Sequence, residues 1–369
     1  MSQAQIEIQL IAMIVSVACA LPGVFLILRR MAMMSDAISH SILLGIVVAF
    51  FATQDLSSPL LVVGATLTGV LTVILVELLH RTRLVQEDAA IGLIFPLLFS
   101  LGVILISRYA GNIHLDTDAV LLGELAFAPF DRFMVLGRDI GPKSLYLMLG
   151  ILLINLLFIL VFFKELKLVS FDAGLAMALG FSPTFVHYSL MTLVSVTAVG
   201  AFDAVGSILV VALMIGPPAA AYLLTDRLSI LLLLSSLIGI IASLSGYWMA
   251  HVMDSSIAGS MASMVGVIFL VTYLFAPEKG LLALARRRRR QKVQFALEML
   301  LVHLLNHQGR PEAERECNVR HLSEHLYWDS DLSRQVIKRG EREDFLQKRG
   351  EHLFLTAEGQ DIAEKSMLR

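Results

Sequence analysis

Asp36 and His40 stand four residues apart in the apolar stretch MMSDAISHSILLGIV, Met33–Val47. On a helix this spacing stacks the two side chains on one face. An uncompensated ionisable group in or near a bilayer costs several kcal/mol, so the pair needs partners. Two arrangements supply them. Asp36 can cap a helix start while a neighbouring carbonyl satisfies the histidine. Alternatively, the carboxylate oxygen and the imidazole nitrogen form half of a divalent-cation site, a donor set suited to manganese, zinc or iron. A second copy of the helix across a two-fold or pseudo-two-fold axis would then complete four ligands.

A second constellation lies near the other end of the chain. Cys317, His321 and His325 fall at successive spacings of four on one helix face, with Glu324 beside them. A thiolate and two imidazoles make a zinc-type donor set and define a candidate cytosolic metal site. His303 and His307 repeat the spacing on an apolar helix, which shows how readily such pairs arise.

The elements that carry Asp36 and His40 must be membrane helices. Of 369 residues, 57% are hydrophobic and only 16% charged, a balance outside the ordinary range of soluble domains. About twenty apolar residues span a bilayer as a helix. By that measure spans are predicted at Ile6–Leu28, Asp36–Ala52, Pro59–Leu79, Ala89–Ser107, Leu145–Phe163, Leu228–Met249 and Ile257–Phe275. The run Tyr188–Leu224 is too long for one helix and is interrupted by Gly200, Asp203, Gly206 and Pro217-Pro218. It therefore reads as two spans or as one span with a broken helix. Without a basic leader or a small-residue cleavage site, the first span reads as retained. Eight to nine crossings result.

Basic residues set the orientation. Arg29-Arg30, Arg81, Arg83, Lys164, Lys167, Arg227 and Arg286–Arg290 fall at alternate span ends, which puts those ends in the cytoplasm. The N-terminus is then outside and the C-terminus inside, which favours nine spans. The stretch Gly111–Phe133, with its acidic residues and Pro129, lies outside or dips back into the membrane. Asp203, flanked by Gly200 and Gly206, either lines a path or bonds to broken-helix backbone. Glu77, His80 and His251 lie close to span ends, where snorkelling to the interface accounts for them. Two cysteines, Cys19 and Cys317, give no disulfide framework.

Four stretches in order carry a family resemblance: SDAISHSILLGI at Ser35–Ile46, EDAAIGLIF at Glu87–Phe95, SFDAGLAMALGFSP at Ser170–Pro183, and FDAVGSILVVALMIGPPAAAYLLTDR at Phe202–Arg227. Together they resemble the permease subunits of ATP-binding-cassette importers for manganese, zinc and iron, over Ile6 to Lys279. The resemblance implies a bacterial plasma-membrane subunit that is not itself an enzyme and keeps no permanent cofactor. Its cargo would be a divalent manganese, zinc or iron ion. Its partners would be a second permease subunit, identical or related, an extracellular metal-binding protein and a cytoplasmic ATP-binding subunit. Asp36 and His40 correspond to the metal-contacting pair. The short segment containing Phe171, Asp172, Ala173, Ala176, Leu179 and Gly180 corresponds to the helix that couples permease to ATPase, although a bare connector is the commoner role of such a loop. No G-x-x-x-x-G-K-[ST] phosphate loop occurs, so ATP must be hydrolysed elsewhere. The chain departs from the usual family motif at Ser35, Ser41 and Leu44, where glycine, alanine and proline are common. Without that proline the second helix is expected to run straighter.

The tail changes character. Residues 1–280 read as the transmembrane domain, 281–290 as a basic linker and 291–369 as a cytoplasmic domain. In the tail, three helices, a small hairpin around Arg349-Gly350 and a closing helix capped by Thr356 resemble the winged-helix domain of metal-responsive repressors of the diphtheria-toxin-repressor type. The expected fold class is thus an all-α polytopic membrane protein with a small α+β winged-helix-like domain. Acidic residues slightly outnumber basic ones after Gln291, which argues against DNA as the tail's partner. The arginine run suits inner-leaflet lipid headgroups. Two other classes compete: a proton- or sodium-coupled metal transporter, which should show a second copy of DAISH and does not, and a membrane-tethered regulator, which has no need of intramembrane Asp36, His40 and Asp203.

Overall fold

The computed structural model describes residues 2–55, 58–109, 125–135, 138–319, 326 and 328–368. Its chain divides into two compact units, Met1–Ala276 and Pro277–Arg369.

In the first unit, nine helices among the described residues are long and apolar enough to cross a membrane. They are α1 (Gln3–Leu28), α2 (Met33–Thr53), α3 (Pro59–Arg81), α4 (Glu87–Tyr109), α5 (Lys143–Val161), α8 (Pro183–Val205), α9 (Ser207–Leu224), α10 (Leu228–Met253) and α11 (Ile257–Phe275). Two short helices, α6 (Phe163–Phe171) and α7 (Ala173–Ala178), join α5 to α8. The long run after Tyr188 is two helices. They meet at Gly206, whose φ of 80° suits a residue without Cβ, while Pro217 and Pro218 stay inside α9 without ending it.

The core is built around α1, which packs against α5, α8, α9 and α10. In a membrane, helices hold together through close packing of small residues and through buried hydrogen bonds. Both devices are present. A Cβ on Gly23 would lie 1.9 Å from the backbone oxygen of Met214, so α1 and α9 cross at backbone contact. Asn155, fully buried on α5, donates to the carbonyl of Ala18 on α1 at 2.9 Å and to Thr197 Oγ1 on α8 at 3.0 Å. That amide ties three helices together.

Of the stretch expected outside the bundle, residues 111–124 lie outside the described residues. At its end begins a strand pair that the pattern of apolar residues did not announce: β1 (Arg132–Val135) runs antiparallel to β2 (Arg138–Pro142). Arg132 pairs with Asp139 on β2 and, at 3.2 Å, with Glu7 of α1, so charge pairing rather than hydrophobic alternation holds this hairpin. The membrane unit is accordingly not purely helical.

The second unit has its own core, with Leu297, Leu300, Leu301, Leu304, Val336 and Leu346 at its centre. It contains α12 (Leu281–His307), α13 (Ala313–Glu316), α14 (Ser330–Arg342), an antiparallel hairpin of β3 (Leu346–Arg349) and β4 (His352–Leu355), and α15 (Ala357–Met367). Gly350 turns the hairpin at φ 65°, and Thr356 caps α15 by accepting from the Gly359 amide at 3.1 Å. Segment 281–290, expected as a linker, is the beginning of α12. Arginine is a good helix former, and nothing in LLALARRRRR breaks a helix. The helix expected to begin at Asn318 falls largely outside the described residues.

Candidate functional site

The capping role considered for Asp36 is not what the helix uses. Ala32 is the N-cap of α2 and offers no side-chain bond, and Asp36 lies within the first turn. A carboxylate there is favoured by the amide dipoles of the helix start. One turn on, His40 Nε2 lies 3.4 Å from Asp36 Oδ1. The two side chains are 32% and 34% exposed, so the protein's own helices leave both reachable. Phe95 and Phe99 of α4 flank the imidazole, with ring centroids 5.7 and 6.1 Å away. As expected without a proline at position 44, α2 is continuous from Met33 to Thr53.

What orients this face is the packing on its other side. Ser41, Gly45 and Ala49 of α2 meet Gly64, Thr68 and Thr72 of α3 along a seam of small residues. A Cβ on Gly45 would lie 2.2 Å from the Gly64 oxygen, and one on Gly64 would lie 2.6 Å from the Gly45 oxygen. Thr72 donates to Ser41 Oγ at 2.6 Å, and Ser41 bonds back to the Ile38 carbonyl at 3.0 Å. Gly102 lets α4 approach Leu44 from another direction, since a Cβ there would lie 3.1 Å from the Leu44 nitrogen. With α3 and α4 fixed in this way, Asp36 and His40 stay about a third exposed, the imidazole beside Phe95 and Phe99.

Close to the start of α2 a cavity of about 270 Å³ opens, lined by Arg29, Met34, Glu77, His80, Glu87 and His187 among others. Sequence reasoning assigned Glu77 and His80 to snorkelling. The structure puts both on the cavity wall. Glu77 pairs with Arg81 at 2.6 Å, accepts from the Tyr188 hydroxyl and lies 3.9 Å from His187 Nε2. The signal that could have found them is the pairing of HR at the end of α3 with ED at the start of α4, two charged ends joined by a short turn.

Asp203 is not part of this cluster. His187 and Tyr188, in the first turns of α8, touch Glu77, whereas Asp203 sits sixteen residues further along the same helix. At 1.5 Å per residue it is about 24 Å away, at the opposite end of the bundle. There it comes within electrostatic reach of the Lys143–Asp131 ion pair.

The segment after α6 is shaped by its own sequence. Asp172 caps α7 by accepting from the Leu175 amide at 2.9 Å, and Gly180 at φ 85° ends it. Ser182 and Pro183 then start α8 as N-cap and first helical residue. Ala176 is fully buried, while Phe171, Leu175, Met177 and Leu179 are each about half exposed or more, between 48% and 62%. The outward apolar face is therefore made by the large residues and by Ala173, and Ala176 packs inward. In the second unit Cys317 is buried in the core, while His321 and His325 lie outside the described residues. Burial, and then the neighbouring Glu316 carboxylate, push the Cys317 thiol up.

Residues 3–276 match the ABC 3 transport family. The chain belongs to that family. Membership makes it a permease subunit of the ATP-binding-cassette type, with ATP hydrolysis on a separate subunit. This ABC 3 family chain is 50% identical to the zinc transport system membrane protein TroD of Treponema pallidum, over 97% of both chains. It is 49% identical to the manganese transport system membrane protein MntD of Bacillus subtilis, over 73% of this chain and 91% of that one. Among solved structures, PsaBC from Streptococcus pneumoniae in complex with Fab matches with a TM-score of 0.64 and 30% identity, covering 77% of this chain and 96% of that one. The match to the Treponema protein extends through the second unit.

Proposed function

We propose that this permease subunit passes a divalent transition-metal ion, zinc, manganese or iron, along a path to which it contributes Asp36 and His40. The observation that carries this reading is an ionisable pair on a membrane helix that the chain's own packing leaves about a third exposed. Lipid cannot face such a pair without large cost, so a second permease subunit, identical or related, covers it and contributes further ligands. One carboxylate oxygen and one imidazole nitrogen per chain suit these ions and their moderate softness. The zinc- and manganese-transport relatives support the cargo class. The family match sets aside the proton- or sodium-coupled alternative.

Positive charge at the ends of α1, α3, α5 and α9 favours a cytoplasmic position for that side of the bundle. On this orientation Asp203 lies towards the outer mouth, where an extracellular metal-binding protein delivers the ion. The cavity walled by Glu77, His80, Glu87 and His187 is then an inward vestibule. The α7 segment is the contact for the ATP-binding subunit, its exposed Leu175, Met177 and Leu179 filling a groove. In vesicles holding this chain and its ATPase, ATP is expected to drive uptake of at least one of the three ions. Replacing Met177 and Leu179 together by aspartate should reduce it at least about tenfold by placing charge in an apolar contact. Metal influx equal to wild type in that variant would make α7 a connector, and no uptake of any of the three ions would reject the cargo.

On this reading the second unit is a winged-helix-like cytoplasmic module acting on the transporter. Its basic cleft, walled by Arg290, Lys338, Arg339 and Arg342, suits anionic lipid headgroups. The family match ends at residue 276, and the Bacillus match covers 73% of this chain but 91% of that one. Truncation after Lys279 is therefore expected to leave a folded permease that still transports at an altered rate. Size-exclusion profile and uptake of the truncated chain check this, and aggregation of the remainder would refute it.

A further inference from the structure

We propose that the second unit carries a divalent transition-metal site formed by His303 and His307 of α12 and Glu316 of α13. The two histidines sit one turn apart at the end of α12, with ring centroids 4.7 Å apart. The chain then reverses through Gly309, whose φ is 84°, and α13 brings Glu316 back against them. His303 Nε2 is 3.6 Å from Glu316 Oε2, and one donor atom from each of the three residues lies within 4.8 Å of the others. Tetrahedral sites with bonds of 2.0–2.1 Å separate their ligands by about 3.4 Å, so the three donors must draw somewhat closer together to hold an ion. Glu312 Oε2 lies 3.9 Å from His307 Nδ1, outside the mutually close set of three. His307 Nδ1 is itself buried with no hydrogen-bond partner.

The donor chemistry selects the ion. Two imidazoles and a carboxylate favour zinc, manganese or iron over magnesium and calcium, which prefer all-oxygen shells, and over copper(I), which prefers sulfur. His303 Nε2 lies 3.1 Å from the Glu316 carbonyl, and metal entry replaces the proton shared there. Cys317 is no part of the set, because its side chain faces the core. The site also reaches further than its ligands. α13 is tied to β4 through His352 Nε2 and the Glu314 carbonyl at 3.1 Å, and through the Leu353 amide and the Cys317 carbonyl at 3.0 Å. An ion held here joins the end of α12 to the hairpin. The inference is independent of the transport reading, because binding is measured without transport.

The test uses the full purified chain in detergent, carrying Asp36→Ala and His40→Ala so that the pathway pair contributes nothing. Equilibrium dialysis against zinc chloride should give one tightly held zinc per chain. Adding His303→Gln and His307→Gln should remove it, Glu316→Gln should weaken binding at least about tenfold, and Cys317→Ala should leave it unchanged. A chain without zinc in the starting background, or zinc retained after the two histidine substitutions, overturns the site. Should that variant fail to fold, Glu316→Gln decides alone: unchanged zinc affinity counts against the proposal.

Discussion

Alanine at Asp36 or at His40 is expected to lower metal uptake by more than about 100-fold, because on the proposed path each removes a direct ligand and not merely its support. Neither substitution should disturb assembly. Both side chains are about a third exposed, neither is among the buried residues of α2, and α7 is a separate element. The measurement is uptake of radioactive zinc, manganese and iron by cells, with co-purification of the ATPase as the control. His40→Asn separates charge and ligation from shape: a retained size with a lost imidazole should transport no better than alanine. Uptake at wild-type level in both alanine variants would remove Asp36 and His40 from the path.

Much of this arrangement could be read from residue order. The apolar runs located the membrane helices, since length and hydrophobicity are what a bilayer demands of a segment. Capping chemistry fixes α7 and the start of α8 through Asp172, Gly180, Ser182 and Pro183, each acting on its immediate neighbours, whereas the apolar run alone put the start of that span at Tyr188. What escaped was set by contacts between distant segments. Glu77 looked like an interfacial residue until α8 brought Tyr188 and His187 to it. Arg132 joins Glu7 across 125 residues of sequence, and no local pattern announces such a pair. Asp203 carried the same intramembrane signal as Asp36, yet the direction of α8 puts it at the other end of the bundle. In the tail, His303 and His307 looked like an accident of spacing until the turn at Gly309 returned Glu316 to them.

The seam between α2 and α3 could also have been found. Ser41, Gly45 and Ala49 at spacings of four, followed by Gly64, Thr68 and Thr72 at the same spacing, form the small-residue pattern by which membrane helices approach closely. Its consequence is the second large expected effect. Gly45→Leu should prevent the first unit from reaching its folded state, because the new side chain begins 2.2 Å from the Gly64 oxygen and 2.5 Å from Thr68 Oγ1. The nearest obstacle is backbone, so no rotamer relieves the overlap, and α2 must move off α3. The cost should exceed the roughly 1–3 kcal/mol of ordinary overpacking. Any protein that does fold would have its Ser41–Thr72 hydrogen bond broken and the Asp36–His40 face displaced from α4. Gly150→Leu on α5 is the matched control, since a Cβ there meets nothing within 4 Å. That change should be neutral or raise stability by up to about 1 kcal/mol through helix propensity. Thermal unfolding in detergent, read with size-exclusion chromatography, compares the two. A Gly45→Leu chain with the same yield and midpoint as Gly150→Leu would mean that α2 and α3 do not cross at these glycines, and that something other than this seam holds Asp36 and His40 in place.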